Sequence, residues 1–176
     1  MMGGPGVGKG TFSEMMMSYK PFKHIEAGAI LRAMPSDSEI GKLISVGNLV
    51  PDNLVCDLMR ERITDDDIIL DGFPRTIGQA QWLVANYADK YDIHVLFFNT
   101  DDETLVQRIL KRVRDGSMRS DDFTMQIIAR RLDNYHKITM LAIEWLRAAP
   151  GISFSEIDAA GDVDDNFRDI FNALGL

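Results

Sequence analysis

Short apolar runs alternate along the chain with longer stretches of helical periodicity. The runs at 68–72 (IILDG), 94–100 (HVLFFNT) and 152–158 (ISFSEID) each end in polar or turn-forming residues, and 24–26 (HIE) is a shorter run of the same kind. Runs of this length are typical of strands whose two faces are both buried. Together with a strand that ends at residue 2, they predict five strands.

The segments between these runs carry apolar residues at the spacing of a helix face. One stripe comprises Leu105, Val106, Ile109, Leu110 and Val113. Thr100 and Glu103 have the spacing of a capping box, which predicts that this pair opens the helix. A second stripe comprises Phe167, Ile170, Phe171 and Leu174. We expect Gly175 to end that helix, and a third helical stretch to run over about 121–148, up to the Pro-Gly at 150–151.

Strands that alternate with helices predict an α/β fold with a parallel sheet. In such a sheet, ligands bind beyond the carboxyl ends of the strands. The loops that follow residues 2, 26, 71, 99 and 158 should therefore share one rim. The segment 3–11, which follows the first strand, lies on that rim.

The segment GGPGVGKGT (3–11) crowds glycines around one lysine. Glycine lets backbone N–H groups approach a ligand closely, and N–H groups that converge at a helix N-terminus bind phosphate. Gly3, Gly8 and Lys9 have the spacing of a phosphate-binding loop, although Gly10 stands where the general pattern has Ser or Thr, and a hydroxyl follows only at Thr11. The segment predicts a nucleotide phosphate site rather than a plain turn.

Acidic residues dominate the chain, which has 176 residues and a formal net charge of −8. Proteins that bind nucleic acid polymers are usually basic, so we expect no such partner. Arginines nevertheless gather at positions 108, 112, 114, 119, 130 and 131. A local cationic site on an acidic protein suits a small polyanion, although a solvated charged face would have the same composition.

Cys56 is the one cysteine of the sequence, so neither an internal disulfide nor a cysteine-based zinc site can form. The sequence has no stretch that approaches a membrane span and no signal-peptide pattern at its N-terminus. We therefore expect a cytoplasmic protein with no zinc and no membrane partner.

Several segments resemble motifs of the adenylate kinase family, and they follow the family's order. They are GGPGVGKGT (3–11), HIEAGAILR (24–32), GNLVPDNLV (47–55), LDGFPRTIGQAQ (70–81), RILKR (108–112), RSDD (119–122) and RRLDNY (130–135). The segment at 70–81 is close to a family signature and is the most specific of them. The resemblance extends from Gly3 to Asp158 and implies a P-loop three-layer fold with a central parallel sheet of five strands.

The resemblance further implies a kinase that transfers the γ-phosphoryl group of MgATP to AMP and yields two ADP. The catalytic residues that it implies are Lys9, Arg75, Arg112, Arg119 and Arg131. The implied ATP-binding residues are Gly6, Val7, Gly8, Lys9, Gly10, Thr11, Arg108 and Gly161. The implied AMP-binding residues are Ala27, Arg32, Asn48, Leu49, Val50, Gly72, Phe73, Arg75, Gln79, Arg119 and Arg131.

These residue types suit phosphoryl transfer. The attacking phosphate oxygen is already ionised, so the reaction needs positive charge and positioning rather than a general base. Arginine can donate two parallel hydrogen bonds to phosphate. Asp71 ends an apolar run on the rim, where a carboxylate can hold Mg²⁺ through its waters. Gln79 offers a donor beside an acceptor, which matches the edge of adenine.

The resemblance also divides the chain into parts. The core would comprise residues 1–26, 54–113 and 123–176, with a monophosphate-binding insert at about 27–53 and a short lid at about 114–122. We expect this single-domain chain to act as a monomer.

Three features depart from the family pattern. Residues 26–29 read Glu-Ala-Gly-Ala where relatives usually have Ser/Thr-Thr-Gly-Asp, so Ala29 lacks a carboxylate that organises magnesium waters. Only residues 115–118 separate Arg114 from Arg119, which makes the lid short. Two residues precede Gly3, although a strand usually has about five, so either residues are missing upstream or the first strand is a stub.

The sequence leaves two other functions open. Alanine at position 27 resembles the pattern of the UMP/CMP kinase branch, whereas glutamine at position 79 resembles that of the adenylate kinase branch. Because Gln79 would contact the base directly, we favour AMP over UMP or CMP as the acceptor. The missing carboxylate at Ala29 and the short first strand are also compatible with a nucleotide-binding module that has lost turnover.

Overall fold

The computed structural model describes residues 1–64, 67–116 and 124–176. Its strands are β1 (Met2–Gly3), β2 (Lys23–Glu26), β3 (Ile68–Asp71), β4 (His94–Asn99) and β5 (Ser153–Asp158). Its α-helices are α1 (Lys9–Tyr19), α2 (Ala27–Arg32), α3 (Glu39–Ser45), α4 (Asp52–Arg60), α5 (Ile77–Tyr87), α6 (Asp102–Arg114), α7 (Met125–Asn134), α8 (Met140–Arg147) and α9 (Val163–Leu174). A π-helical turn, Tyr135–Thr139, joins α7 to α8. The apolar runs therefore form the expected strands.

The paired strands are all parallel, as the alternation with helices predicted. In one ladder β4 lies between β1 and β5, and in the other β2 pairs with β3. The amino group of Met1 donates to Leu70 O at 2.7 Å, and the N–H of Gly72 donates to Met1 O at 3.3 Å. These bonds join the ladders in the order β2-β3-β1-β4-β5, so β1 is central although it has only two residues.

Strand β4 has helices against both of its faces. Leu96 and Phe98 pack in one cluster with residues of α1, α6 and α9, whereas Val95 and Phe97 pack in another with residues of α5 and α8. Continuous apolarity along this strand reflects burial on both faces, which gives the expected three layers. Strand β5 differs, because it lies at the sheet edge and only Ile157 is fully buried.

The ends of the helices confirm one prediction and correct another. Gly175 ends α9 in the left-handed conformation, with φ 66°, as expected. Thr100 does not open α6, because Asp101 is the N-cap and its side chain accepts from the N–H of Thr104 at 2.7 Å. The carboxylate of Asp101 thus bonds a free N–H group of the first helical turn, and the helix begins one residue later than the capping box predicted.

The third helical stretch is confirmed from Met125 onward, with Thr124 as its N-cap. The first residues predicted for it, 121–123, lie outside the described residues. None of the helices in the described ranges has the length and apolar character that a membrane crossing requires.

Candidate active site

A cleft opens at the carboxyl ends of the strands, on the predicted rim. The predicted site residues that line it are Gly6, Lys9, Ala27, Arg32, Asn48, Leu49, Val50, Asp71, Gly72, Arg75, Gln79 and Arg131. Four of the lining side chains are cationic, and Glu26 and Asp71 contribute carboxylates. The cleft therefore brings most of the predicted phosphate and base contacts into one place, with an excess of positive charge.

The glycine-rich loop is pressed against the core, and this contact explains its composition. A Cβ on Gly3 would lie 2.5 Å from Phe98 O, and one on Gly6 would lie 2.8 Å from both Leu105 O and Ile109 Cγ1. Gly6 also has φ +84°. At these positions only glycine lets the backbone pass. The loop leads into α1, whose N-cap Gly8 makes no side-chain cap bond, so the helix N-terminus is open to an anion.

Two cationic side chains brace this loop. Lys9 Nζ donates to Gly3 O at 3.0 Å and to Gly4 O at 3.1 Å, so the side chain crosses the loop. The guanidinium of Arg108 donates to Val7 O at 3.1 Å and to Ala159 O at 2.7 Å. Arg108 thereby ties the loop to the segment after β5, in which Gly161 lies. The predicted ATP contacts thus occupy neighbouring segments.

Asp71 is the last residue of β3, and it is buried at the base of the cleft. Burial raises the pKa of this carboxyl, but the neighbouring His24 and the Lys9 ammonium outweigh that effect and hold the pKa below its usual range. His24 Nε2 lies 3.7 Å from Asp71 Oδ2, beyond the distance of an ordinary hydrogen bond. Asp71 is therefore an ionised carboxylate at neutral pH.

Glu26 has a role in the structure that sequence reasoning did not assign to it. Arg32 donates to Glu26 Oε1 at 2.7 Å, and a Cβ on Gly28 would lie 2.8 Å from the same guanidinium. The unusual carboxylate at 26 thus holds the predicted phosphate ligand Arg32 against the backbone of α2. Arg75, the other predicted acceptor-phosphate ligand, donates from Nε to Gly72 O at 2.9 Å.

The amide of Gln79 lines the cleft but is almost fully buried and already bonded. Its Oε1 accepts from the backbone N–H of Arg75 at 2.8 Å, and its Nε2 donates to Asp52 Oδ1 at 2.9 Å. Sequence reasoning missed Asp52. The residue lies inside the segment 47–55, which resembles a family motif, but nothing in its spacing shows that it reaches α5.

Helix α7 and the π-helical turn complete the cleft with residues that sequence reasoning also missed. Asn134, Tyr135 and Thr139 line the cleft with Arg131. Asn134 donates to Gly47 O at 2.9 Å, and Arg130 donates to Val46 O at 3.0 Å. Positions three and four after Arg131 share its helix face, so this periodicity could have indicated Asn134 and Tyr135.

Other predicted residues lie outside the lining of the cleft. Val7 and Phe73 are buried side chains of two core clusters, and Arg112 belongs to the last turn of α6. The remaining predicted ATP contacts, Gly8, Gly10, Thr11, Arg108 and Gly161, lie in the loop, at the start of α1, on α6 and after β5. Arg119, and with it much of the predicted lid, lies outside the described residues.

The residues at the cleft fit a water-mediated magnesium ion better than a protein-enclosed one. Among the described residues, no group of three or more His, Cys, Asp or Glu side chains could hold a metal ion. Mg²⁺ usually keeps several waters and binds through one or two carboxylates and the substrate phosphates. A single ionised Asp71 beside the glycine-rich loop meets that requirement.

The sequence of the chain is similar to those of known adenylate kinases. The family pattern described as adenylate kinase matches residues 1–149. An adenylate kinase of Porphyromonas gingivalis is 39% identical over 157 residues, covering 82% of this chain and 79% of that protein. Those of Bacteroides thetaiotaomicron and Prochlorococcus marinus are each 35% identical, covering 99% of this chain and 96% and 95% of theirs. Since its motifs, its parallel fold and these matches agree over most of its length, the chain belongs to the adenylate kinase family.

Proposed function

We propose that this chain transfers the γ-phosphoryl group of ATP to AMP and yields two ADP. The observation that carries the proposal is the shared cleft, which is lined both by Lys9 and Asp71 and by Arg32, Arg75 and Gln79. A cleft for one nucleotide would not need a second set of phosphate and base ligands. The matched family supports the same reaction.

The donor nucleotide would bind along the glycine-rich loop. The backbone N–H groups from Gly6 to Thr11 would surround its phosphates, and Lys9 would exchange its bonds to the carbonyls of Gly3 and Gly4 for bonds to phosphate. Arg108 bonds both the loop and the segment after β5, so the adenine would lie between Arg108 and Gly161.

The acceptor would bind on the opposite side of the cleft. Arg32 and Arg75 would grip its phosphate, since each guanidinium lines the cleft and is oriented by a neighbouring group. Ala27, Gly72, Phe73 and the segment 48–50 would surround the nucleoside. Gln79 would bind the edge of the base with the part of its amide that faces the cleft.

The catalytic work would fall to the positively charged residues. Charge on the transferred group is spread over its oxygens, and Lys9, Arg75, Arg112, Arg119 and Arg131 would neutralise it. Water must be excluded so that ATP is not hydrolysed, and the insert at 27–53 and the lid at 114–122 would cover the cleft for this purpose. Magnesium bound to ATP would neutralise phosphate charge, and Asp71 would orient the waters of that ion.

We expect the protein to act as a cytoplasmic monomer with Mg²⁺, with ATP and AMP as substrates. Gel filtration of the purified chain tests the monomer. Titration with EDTA in the presence of ATP and AMP tests the need for a divalent ion.

A direct assay tests the reaction. The chain is incubated with MgATP and, in separate reactions, with AMP, UMP or CMP, and the diphosphates are separated by chromatography. We expect ADP to form with AMP at a rate well above that of ATP hydrolysis alone. Faster phosphorylation of UMP or CMP would favour the pyrimidine kinase branch that Ala27 resembles. Nucleotide binding without any diphosphate would indicate a module that has lost turnover.

A further inference from the structure

The amide of Gln79 is held in one orientation by partners of opposite character. The backbone N–H of Arg75 can only donate, and it donates to Oε1 at 2.8 Å. The carboxylate of Asp52 accepts from Nε2 at 2.9 Å. If the amide were turned over, its nitrogen would face a donor and its oxygen would face a carboxylate. The donor at Arg75 and the acceptor at Asp52 therefore fix the positions of the amide oxygen and nitrogen.

Asp52 is itself fixed on its other side. Thr76 donates from Oγ1 to Asp52 Oδ2 at 2.8 Å, and the same hydroxyl oxygen accepts from the N–H of Gln79 at 3.1 Å as the N-cap of α5. A Cβ on Gly78 would lie 2.5 Å from Asp52 Oδ2, so glycine at this position leaves room for the carboxylate. Asp52 thus joins the first turn of α4 to the first turn of α5.

These bonds use only half of the amide. A carboxamide has two N–H donors and two acceptor lone pairs, and the two bonds engage one of each. One donor and one acceptor remain on a side chain that lines the cleft. Adenine presents an N–H beside a ring nitrogen and so matches them, with its N–H on the amide oxygen. Hypoxanthine has the same ring with the donor and the acceptor exchanged, so it would need the amide turned over.

We propose that Asp52 is a positioning residue that determines which acceptor bases the site takes. The proposal rests on the proposed function of Gln79 as the contact to the acceptor base. Because Asp52 prevents the amide from turning over, the site requires a base with an amino group beside an unprotonated ring nitrogen. AMP meets this requirement and inosine monophosphate does not; among pyrimidines, CMP meets it and UMP does not.

The first experiment uses the unaltered chain. Values of kcat/KM are measured with MgATP for AMP and inosine monophosphate, and for CMP and UMP. A matched pair of hydrogen bonds to a base edge discriminates against the wrong base by about 5- to 150-fold, so we expect AMP to exceed inosine monophosphate by a factor in that range. We also expect a higher kcat/KM for CMP than for UMP, even if both pyrimidine nucleotides react slowly.

The second experiment alters Asp52. The side chain introduced by Asp52→Asn can turn either its oxygen or its nitrogen toward Gln79, so position 52 no longer opposes the reversed amide and only the N–H of Arg75 still does. We expect the ratio of kcat/KM for AMP to that for inosine monophosphate to fall at least about 5-fold. Gly78→Ala should lower the same ratio by displacing the carboxylate. Asp57→Asn, an exposed change on the same helix, should leave the ratio unchanged.

A double-mutant cycle tests whether Asp52 acts through Gln79. Gln79→Ala removes the base contact and should bring the two kcat/KM values close together. Asp52→Asn added to Gln79→Ala should then lower the ratio no further, because the amide that Asp52 holds is gone. A residue that merely stabilised the fold would lower both kcat/KM values by the same factor and leave their ratio unchanged.

The outcomes separate this inference from the proposed function. If the unaltered chain phosphorylates AMP and inosine monophosphate equally well, or if Asp52→Asn leaves the ratio intact, the inference is wrong and the kinase assignment stands. If no monophosphate is phosphorylated, the proposed function fails, and calorimetric binding of AMP and inosine monophosphate still decides the inference. Tighter binding of AMP, reduced by Gly78→Ala, would support it, and equal affinities would overturn it.

Discussion

The two sides of the cleft are built in different ways. On the donor side, the glycine-rich loop lies so close to β4 and α6 that Gly3 and Gly6 leave no room for a Cβ. On the acceptor side, α3 buries no residue completely, and the carbonyls of Val46 and Gly47 accept bonds from side chains of α7. The donor loop is therefore confined by the core around β4, whereas the acceptor side rests on a separate apolar cluster and on individual polar contacts.

Because of this difference, we expect mutations on the two sides to affect different properties of the protein. The donor side offers backbone N–H groups, which need no orienting partner but depend on the fold. The acceptor side offers side chains, some of which are oriented by other groups, as Arg32 is by Glu26 and Gln79 is by Asp52. We expect donor-side changes to lower stability first, and acceptor-side changes to alter turnover, acceptor affinity or selectivity in a protein that remains folded.

The largest effect is expected for Arg75→Ala. Arg75 is proposed to stabilise charge that develops during transfer, and loss of such a donor lowers turnover by about 100- to 1,000-fold. ATP binding should change little, because Arg75 lies on the acceptor side. Steady-state kinetics and ATP titration test both statements, with the exposed change Arg168→Ala as the control. Retention of more than about a tenth of the turnover would contradict the role.

A pair of glycines tests whether the donor side depends on the fold. Gly6 and Gly151 have φ +84° and +75°, but only Gly6 has atoms within 4 Å of an added Cβ. Gly151→Ala should lower the free energy of unfolding by about 1–2 kcal/mol, the cost of the left-handed backbone. Gly6→Ala should cost about 2–4 kcal/mol, because overpacking adds to it. Urea unfolding measures both, and equal losses would show that the loop is not confined by the core.

Acidification should lower the free energy of unfolding of a chain that begins at Met1. Burial lowers the pKa of the Met1 amino group to about 6, although Asp71 opposes the shift. An unfolded α-amino group titrates near about 8, so between these values the unfolded chain binds more protons and the free energy of unfolding rises with pH.

We therefore expect a loss of at most about 2–3 kcal/mol as the pH falls from about 8 to about 6. Thermal melts across that range test it, with an N-terminally acetylated chain as the control. Burial also lowers the pKa of His94, which adds a loss of the same sign, so both chains should carry His94→Gln. An acetylated chain with the same pH dependence would exclude Met1 as the cause.

The smallest effect is expected where the insert contacts α7. Asn134→Ala removes the bond to Gly47 O, and one such bond contributes about 1 kcal/mol. The KM for AMP should rise about 3- to 10-fold while the KM for ATP stays constant, because Val46 and Gly47 belong to the acceptor side. Asp133→Ala, which alters a neighbouring exposed residue, is the matched control. A parallel rise of both KM values would argue that α7 serves the two sides alike.

The fold was largely predictable because its periodicities are strong. The run at 94–100 has four consecutive apolar residues at 95–98, and these residues are buried on both faces of β4. The prediction was wrong where two local signals competed. Thr100 and Asp101 can both cap a helix, and the capping-box spacing favoured Thr100, whereas the carboxylate of Asp101 makes the cap.

The site was predictable where function depends on a motif and less so where it depends on contacts between distant segments. Lys9, Asp71 and Arg75 belong to compact patterns on the rim, and all three line the cleft. Asp52 and Gln79 are 27 residues apart, and no local spacing links them. The pairing of Glu26 with Arg32 was missed because the departure at 26–29 was interpreted through the carboxylate that Ala29 lacks, and not through the one that Glu26 adds.

The junction at Met1 affects how the two halves of the sheet hold together. The bonds of Met1 with Leu70 and Gly72 cross from the ladder of β2 and β3 to that of β1, β4 and β5. Ile69 of β3 nevertheless packs in one cluster with Phe12 of α1 and Phe98 of β4. Cohesion across the middle of the sheet therefore comes mainly from apolar contact, which has no preferred direction. Because such contact fixes no hydrogen-bond register, we expect mechanical shear along the strands to divide the molecule there.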